Sequence, residues 1–298
     1  MDRSTVAVLG TGRMGSAMAR SLAREGFAIR LYNRSTEKAR ALAEELGATV
    51  AGSAAEAVAA APVTISMVRD ESAVEALYRG PGGVLEGIGD GHLMLEMSTL
   101  PPRVVRGLEP EVRARRGAIL DAPVSGSVAL AESGKLTIMV GGDADDLARA
   151  RAVLEALSAR IFHMGPLGSG DTIKLAVNSI IFALNQSVAE ALVLAERAGV
   201  DRAAAYEVFA ASAIAAPYVG YKQAAFVDPE ATPTAFSLEL ATKDLDLILG
   251  LARETRTRMP QTEANQAVIH EAVGTMGADA DLSAVAVHLR GEADRDQG

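Results

Sequence analysis

Six residues near the start of the chain, Gly10-Thr11-Gly12-Arg13-Met14-Gly15, constrain the fold more than any other feature. The β-branched run Val6-Ala7-Val8-Leu9 leads into them, and a helical pattern opens at Met14. Each glycine of a Gly-x-Gly-x-x-Gly turn in that setting has a physical task. The first permits a tight turn, the second lets the backbone approach a pyrophosphate, and the third lets helix and strand pack closely. The helix N-terminus then offers N–H groups and a partial positive charge to phosphate. The bland alternative is a glycine-rich turn without a ligand. The flanking strand and helix favour a dinucleotide cradle.

The first 165 residues alternate short β-branched runs with helical segments. Strands are expected at residues 6–9, 29–32, 63–68, 93–97, 118–120, 136–140 and 161–163, with helices between them at 14–25 and 36–46. Several strands are continuous apolar runs, as a parallel sheet covered on both faces requires. Ser53 and Glu56 have capping-box spacing before another short helix. The alternation predicts an α/β fold, a doubly wound Rossmann sheet, over residues 1–165.

The pattern changes at Gly165-Pro166-Leu167-Gly168. From residue 171 to 198 there is neither proline nor glycine. Ile173, Val177, Ile181, Leu184, Val188, Leu192 and Ala195 recur at helical steps, predicting one long helix of roughly 25–28 residues, about 40 Å. Gly199 ends it, and Asp201 is the next N-cap. Further helices are expected at 202–211, 218–225, 237–254, 261–273 and 283–289. Residues 166–290 thus form an all-helical domain joined to the first by the long helix, and 291–298 form a polar tail without structure. Leu175, Ala176, Ile180, Phe182 and Ala183 make the long helix apolar on more than one face. A second copy of the chain is expected to cover part of it, giving a homo-oligomer.

Composition excludes several classes. The chain has no cysteine, which removes disulfides, thiolate metal sites and cysteine nucleophiles. A net charge of −9 argues against a nucleic-acid partner. No signal peptide or membrane span is read from the sequence, so a cytoplasmic location is expected. His92, His163, His270 and His288 show no ligand spacing with each other or with carboxylates, so no metal is expected. His163, in an apolar strand, reads as a core residue. Ser125 lacks the flanking glycines of a hydrolase elbow.

Lys174 and Asn178 sit one helical turn apart and share a face. Carbonyl reduction needs a hydride donor and a proton donor, and a lysine ammonium supplies the proton and stabilises the developing alkoxide. Taken alone, the pair reads as a solvated lysine and a surface asparagine. Other segments change that weighing. Asp121-Ala122-Pro123-Val124-Ser125-Gly126-Ser127 follows a strand and suits a carboxylate ligand. Glu96-Met97-Ser98-Thr99 ends a strand at the edge where ligands bind in such sheets. The second strand ends at Tyr32-Asn33-Arg34-Ser35, where cofactors lacking a 2′-phosphate are usually held by an acid. Asn33, Arg34 and Ser35 can instead hold a 2′-phosphate, so NADP is expected over NAD.

Together these segments resemble the β-hydroxyacid dehydrogenase family, which includes hydroxyisobutyrate dehydrogenases and glyoxylate/succinic semialdehyde reductases. Four motifs occur in family order, at residues 10–15, 121–126, 168–178 and 243–247. The resemblance implies that Gly10, Thr11, Gly12, Arg13, Met14 and Gly15 hold the cofactor, with Met67 and Val68 lining its adenosine side. It further implies Lys174 as catalytic acid/base, Asn178 as a substrate-orienting group, and Ser125 and Gly126 as the grip on a small acid's carboxylate, with Thr99 nearby. Lys243 matches the lysine near the cofactor, Asp244 the acid supporting the site, and Phe236 a pocket wall. Ser127 stands where many members have a second glycine, as in the semialdehyde reductases. The implied function is reversible, NADPH-dependent reduction of a small semialdehyde or oxo acid to a hydroxy acid. The alternatives are an imine reductase and a non-catalytic cofactor-binding module; both usually lack the lysine kept here as Lys174.

Overall fold

The computed structural model describes residues 5–295. The chain divides into two compact units, Met1–Lys174 and Leu175–Gly298.

The first unit is built on a nine-stranded sheet: β1 (Thr5–Leu9), β2 (Ala28–Tyr32), β3 (Thr49–Val50), β4 (Val63–Ser66), β5 (Leu93–Glu96), β6 (Ala118–Asp121), β7 (Val124–Ser125), β8 (Leu136–Gly141) and β9 (Ser158–Gly165). The strand order is β3-β2-β1-β4-β5-β6-β8-β7, with β9 also on β8. Its first six members follow the doubly wound dinucleotide-binding order. They are all parallel, whereas β8 runs antiparallel to β6 and β7. The helices are α1 (Arg13–Arg24), α2 (Thr36–Leu46), α3 (Ala54–Ala59), α4 (Glu71–Arg79), α5 (Val84–Gly87), α6 (Pro102–Ala114), α7 (Val128–Glu132) and α8 (Ala144–Glu155). α9 (Ser169–Arg197) runs on into the second unit.

Strand periodicity sends alternate residues to two cores. Val6 and Val8 of β1 pack with Met18 and Leu22 of α1. Ala7 and Leu9 join Val58 of α3 and Tyr78 of α4 on the other face. Both faces being covered, every residue of β4, β5 and β6 is buried. Burying each large aliphatic side chain contributes roughly 1.5–3 kcal/mol.

The second unit continues with α10 (Arg202–Ala211), α11 (Pro217–Val227), α12 (Leu238–Thr255), α13 (Pro260–Met276), a 3₁₀ turn (Leu282–Ala284) and α14 (Val285–Arg295). Leu175, Phe182, Val188 and Leu192 of α9 form its core with Tyr206, Phe226, Leu245 and Ile269. The expected caps are present: Ser53 accepts from Glu56 N at 3.0 Å, and Asp201 from Ala204 N at 3.0 Å.

Three expectations are corrected. Residues 291–295 continue α14 instead of forming a tail, because the hydrogen-bond ladder carries the polar sequence onward; 296–298 lie outside the described residues. His163 is exposed, not in the core, since β9 presents much of its length to solvent; its Nε2 lies 2.8 Å from Gly142 O. Lastly, a histidine does stand at carboxylate spacing. His288 and Glu292 are one turn apart on α14, and Glu271 of α13 completes a group whose ligand atoms lie within 4.8 Å of one another.

Candidate active site

Parallel register brings the chemistry to one edge. Tyr32, Leu9, Ser66, Glu96 and Asp121 pair in a row across β2, β1, β4, β5 and β6. The residues following each therefore leave the sheet together: 33–35, 10–15, 67–68, 97–99 and 122 onward. The order of connection reverses between β1 and β4, which is where dinucleotides bind such sheets.

The glycine turn is shaped by close approach. Gly10 has φ +99°, and a Cβ on it would lie 2.2 Å from Met67 O. On Gly15 a Cβ would lie 2.0 Å from Gly10 O, so α1 can pack on the turn only without that atom. A Cβ on Gly12 would meet nothing within 4 Å. α1 has no side-chain cap and no acid in its first turn. Thr11 is buried, and its Oγ1 has no hydrogen-bond partner. An open turn, an uncapped helix N-terminus and an orphaned hydroxyl fit a pyrophosphate. Met67 and Val68 border Gly10, and Ser98 Oγ accepts from Val68 N at 2.9 Å.

Asn33 stands half-buried just past the end of β2. Its Oδ1 accepts from Thr11 N at 3.1 Å, and its Nδ2 donates to Ser35 O at 3.0 Å. The side chain therefore ties the end of β2 to the glycine turn. Arg34 beside it is exposed.

Three acids are buried at this edge: Glu96, Asp121 and Asp171. Glu96 accepts from Tyr78 OH at 3.0 Å and from Ser98 N at 3.1 Å, and burial raises its pKa. Asp121 takes two backbone N–H groups, from Gly168 at 2.7 Å and Asp171 at 2.8 Å, while burial pushes its pKa up. Burial, then the charges of Asp121 and Glu96, hold the Asp171 carboxyl well above the usual carboxylate range. The sequence marked the strand ends carrying Glu96 and Asp121 but not the hydrogen bonds these acids make. An acid closing an otherwise apolar strand, as in Ala118-Ile119-Leu120-Asp121, was the available signal.

Among the expected substrate residues, Ser125 lies in β7, opposite Thr137, with Gly126 directly after it. The Ser127 hydroxyl caps α7, accepting from Leu130 N at 3.3 Å. Thr99 is half-buried just past β5, and Lys174 is half-buried in the first turns of α9.

In the second unit, Asn178 and Asp244 meet, with Asn178 Nδ2 donating to Asp244 Oδ2 at 2.8 Å. Lys243 Nζ lies 3.0 Å from Asp244 Oδ1. Phe236 packs on Phe182 with ring centroids 6.2 Å apart. Asn178 of α9 and Lys243 and Asp244 of α12 thus form one side-chain chain.

Sheet order, glycine turn and a helical second half define the class, an oxidoreductase that binds a nicotinamide dinucleotide. Residues 5–165 match the family described as the NAD binding domain of 6-phosphogluconate dehydrogenase. Residues 168–289 match the NAD-binding domain of NADP-dependent 3-hydroxyisobutyrate dehydrogenase. The chain is 35% identical to an NAD-dependent L-serine dehydrogenase of Pseudomonas aeruginosa, across 86% of this chain and 87% of that protein. It is 32% identical to glyoxylate/succinic semialdehyde reductase 1 of Arabidopsis thaliana, across 94% and 96%. The solved structure of Mycobacterium tuberculosis 3-hydroxyisobutyrate dehydrogenase with L-serine aligns with a TM-score of 0.85 at 30% identity, covering 97% of this chain and 99% of that one. The chain belongs to the β-hydroxyacid dehydrogenase family and is an NAD(P)-dependent enzyme.

Proposed function

We propose that this enzyme prefers NADPH and reduces a small semialdehyde or oxo acid, with Lys174 as the general acid. The observation that carries the reading is the start of α9. It anchors on Asp121 at the ligand edge of the sheet, and Lys174 follows one turn later in the same unit as the glycine cradle. The bound cofactor supplies hydride. The open turn at Gly12 and the N-terminus of α1 hold its phosphates. Lys174 delivers a proton to the carbonyl oxygen and stabilises the alkoxide charge. Ser125 and the backbone at Gly126 hold the substrate carboxylate, with Thr99 beside them. Ser127 contributes through the capped start of α7. Asn178 orients the substrate, itself fixed by buried Asp244, which is paired with Lys243.

NADPH preference is supported by the absence of an acid at residues 33–35 and by the exposed guanidinium of Arg34. Names among the relatives, serine, glyoxylate and succinic semialdehyde, support a short acid. Ile180 and Leu194 of α9 are 69% and 72% exposed in the single chain, which supports a homo-oligomer built on this helix. A cytoplasmic location accords with the absence of cysteine. Turnover with succinic semialdehyde and glyoxylate, using NADPH and NADH in parallel, tests the reading. A clear NADH preference overturns the cofactor assignment. No turnover of either acid by an enzyme that binds NADPH overturns the substrate class.

A further inference from the structure

Several helices here are capped locally. Ser53, Asp70, Asp143, Asp201 and Ser237 each cap the helix they begin, with the side chain reaching a backbone N–H two or three residues on. α9 differs. Its first N–H groups are taken by Asp121, a strand residue 47 positions before Gly168 and 50 before Asp171. Both carboxylate oxygens are used, at 2.7 and 2.8 Å, and Asp121 is fully buried. Such N–H groups have no partner inside a helix, and a carboxylate there also meets the positive end of the helix dipole.

The surroundings are cut to fit this contact. A Cβ on Gly141 would lie 2.3 Å from Asp121 Oδ1, and one on Gly170 would lie 2.9 Å from Oδ2 and 2.3 Å from Met139 O. From the other side Arg106 of α6 donates to Leu167 O at 2.9 Å, and its guanidinium lies against Gly168. The turn entering α9 is therefore gripped from two elements of the sheet unit. A helix end held only by its own cap frays. This end cannot shift without moving the last residue of β6, at the same edge as the cofactor cradle.

We propose that Asp121 is a positioning residue for Lys174: its carboxylate locks the first turn of α9 to the C-terminal end of β6 and so fixes where the lysine amine stands relative to that edge. The proposal rests on the reading of Lys174 as the general acid. Asp171 is the natural control. It lies in the same turn and is as deeply buried, yet neither of its carboxyl oxygens has a hydrogen-bond partner. Burial raises the pKa of both carboxyls, but only Asp121 has two backbone N–H donors that favour its charged form. The same change, Asp to Asn, should then have opposite consequences fifty residues apart.

The test uses the full chain with Asp121→Asn, Asp171→Asn and Lys174→Ala. It reads kcat, the KM for NADPH, the thermal midpoint, and hydrogen exchange of amides 166–178. Asp121→Asn is expected to lower kcat about ten- to a hundredfold, as a displacement of order 1 Å does, with the KM for NADPH within about twofold and faster exchange at 166–178. Asp171→Asn is expected to leave kcat and exchange within about twofold of wild type. Wild-type kcat and exchange in Asp121→Asn overturn the proposal. So does a loss of kcat that merely follows a rise in NADPH KM and a fall in thermal midpoint, the mark of general destabilisation. If Lys174→Ala turns over like wild type, the lysine reading fails, and exchange at 166–178 alone decides whether Asp121 locks the turn. Should Asp121→Asn not fold, Arg106→Ala loosens the same turn from an exposed position, with the same signs expected and the same results overturning.

Discussion

The glycine turn of the sheet unit and the Asn178, Lys243 and Asp244 chain of the helical unit are built on different principles. The turn is made of backbone. Its tolerances are set by carbonyl oxygens about 2 Å from where a Cβ would stand, and no rotamer change relieves them. The helical chain is made of side chains from α9 and α12, held by one hydrogen bond at 2.8 Å and one ion pair at 3.0 Å. A backbone site should break in an all-or-none way, and a side-chain site should degrade by degrees.

The largest effect falls on the turn. Gly15→Ala, and likewise Gly10→Ala, should abolish measurable NADPH binding and cost at least about 1–3 kcal/mol of stability, as overpacking does. Gly12→Ala is the sharpening control. With nothing within 4 Å, it should keep the wild-type thermal midpoint and weaken NADPH about tenfold or more, because the added methyl intrudes only where the pyrophosphate comes. Calorimetry with isothermal titration separates the two. A Gly12→Ala protein as unstable as Gly15→Ala would break the distinction.

A smaller effect is expected in the helical unit. Asp244→Asn removes the buried partner of both Lys243 and Asn178, and should lower kcat about tenfold while costing about 1–3 kcal/mol. NADPH titration should change far less than in the glycine variants. Steady-state kinetics and urea unfolding check it, and an unchanged kcat would show that the chain serves packing alone.

Arg34→Ala should act at one cofactor atom group only. NADPH should weaken about tenfold and NADH by less than about twofold, the scale of one lost charge-assisted contact. Equal loss for both cofactors would remove Arg34 from 2′-phosphate recognition.

The smallest effect concerns acid stability of the sheet unit. Burial pushes the His92 pKa down to about 4. Unfolded, it titrates near 6.5. Between those values the unfolded chain takes up a proton that the folded chain refuses, so stability falls as pH drops from about 6.5 towards 4. His92→Gln should remove about 1 kcal/mol of that loss at pH 5.5 relative to pH 8, read by urea unfolding at both pH values.

The two regions also differ in how far they could be read from the sequence. A backbone requirement appears as residue type at fixed spacing, so Gly10, Gly12 and Gly15 announce both turn and sheet. Apolar runs placed most of the strands, and the stretch from 171 to 198 placed α9 almost to its ends. Side-chain networks leave no such trace. That Asn33 is committed to Thr11 N, that Ser127 caps a five-residue helix, and that Asp121 reaches α9 all depend on three-dimensional register. β3 and β7, two residues each, are too short for any periodicity. His163 misled because an apolar strand can lie exposed along β9.

The central claim is lysine-dependent carbonyl reduction, and NADPH oxidation with succinic semialdehyde by wild type and Lys174→Ala tests it most directly. The account predicts a fall in kcat of about a hundredfold or more, the scale of a lost general acid, with NADPH bound as tightly as before. Turnover by Lys174→Ala at the wild-type rate would contradict it.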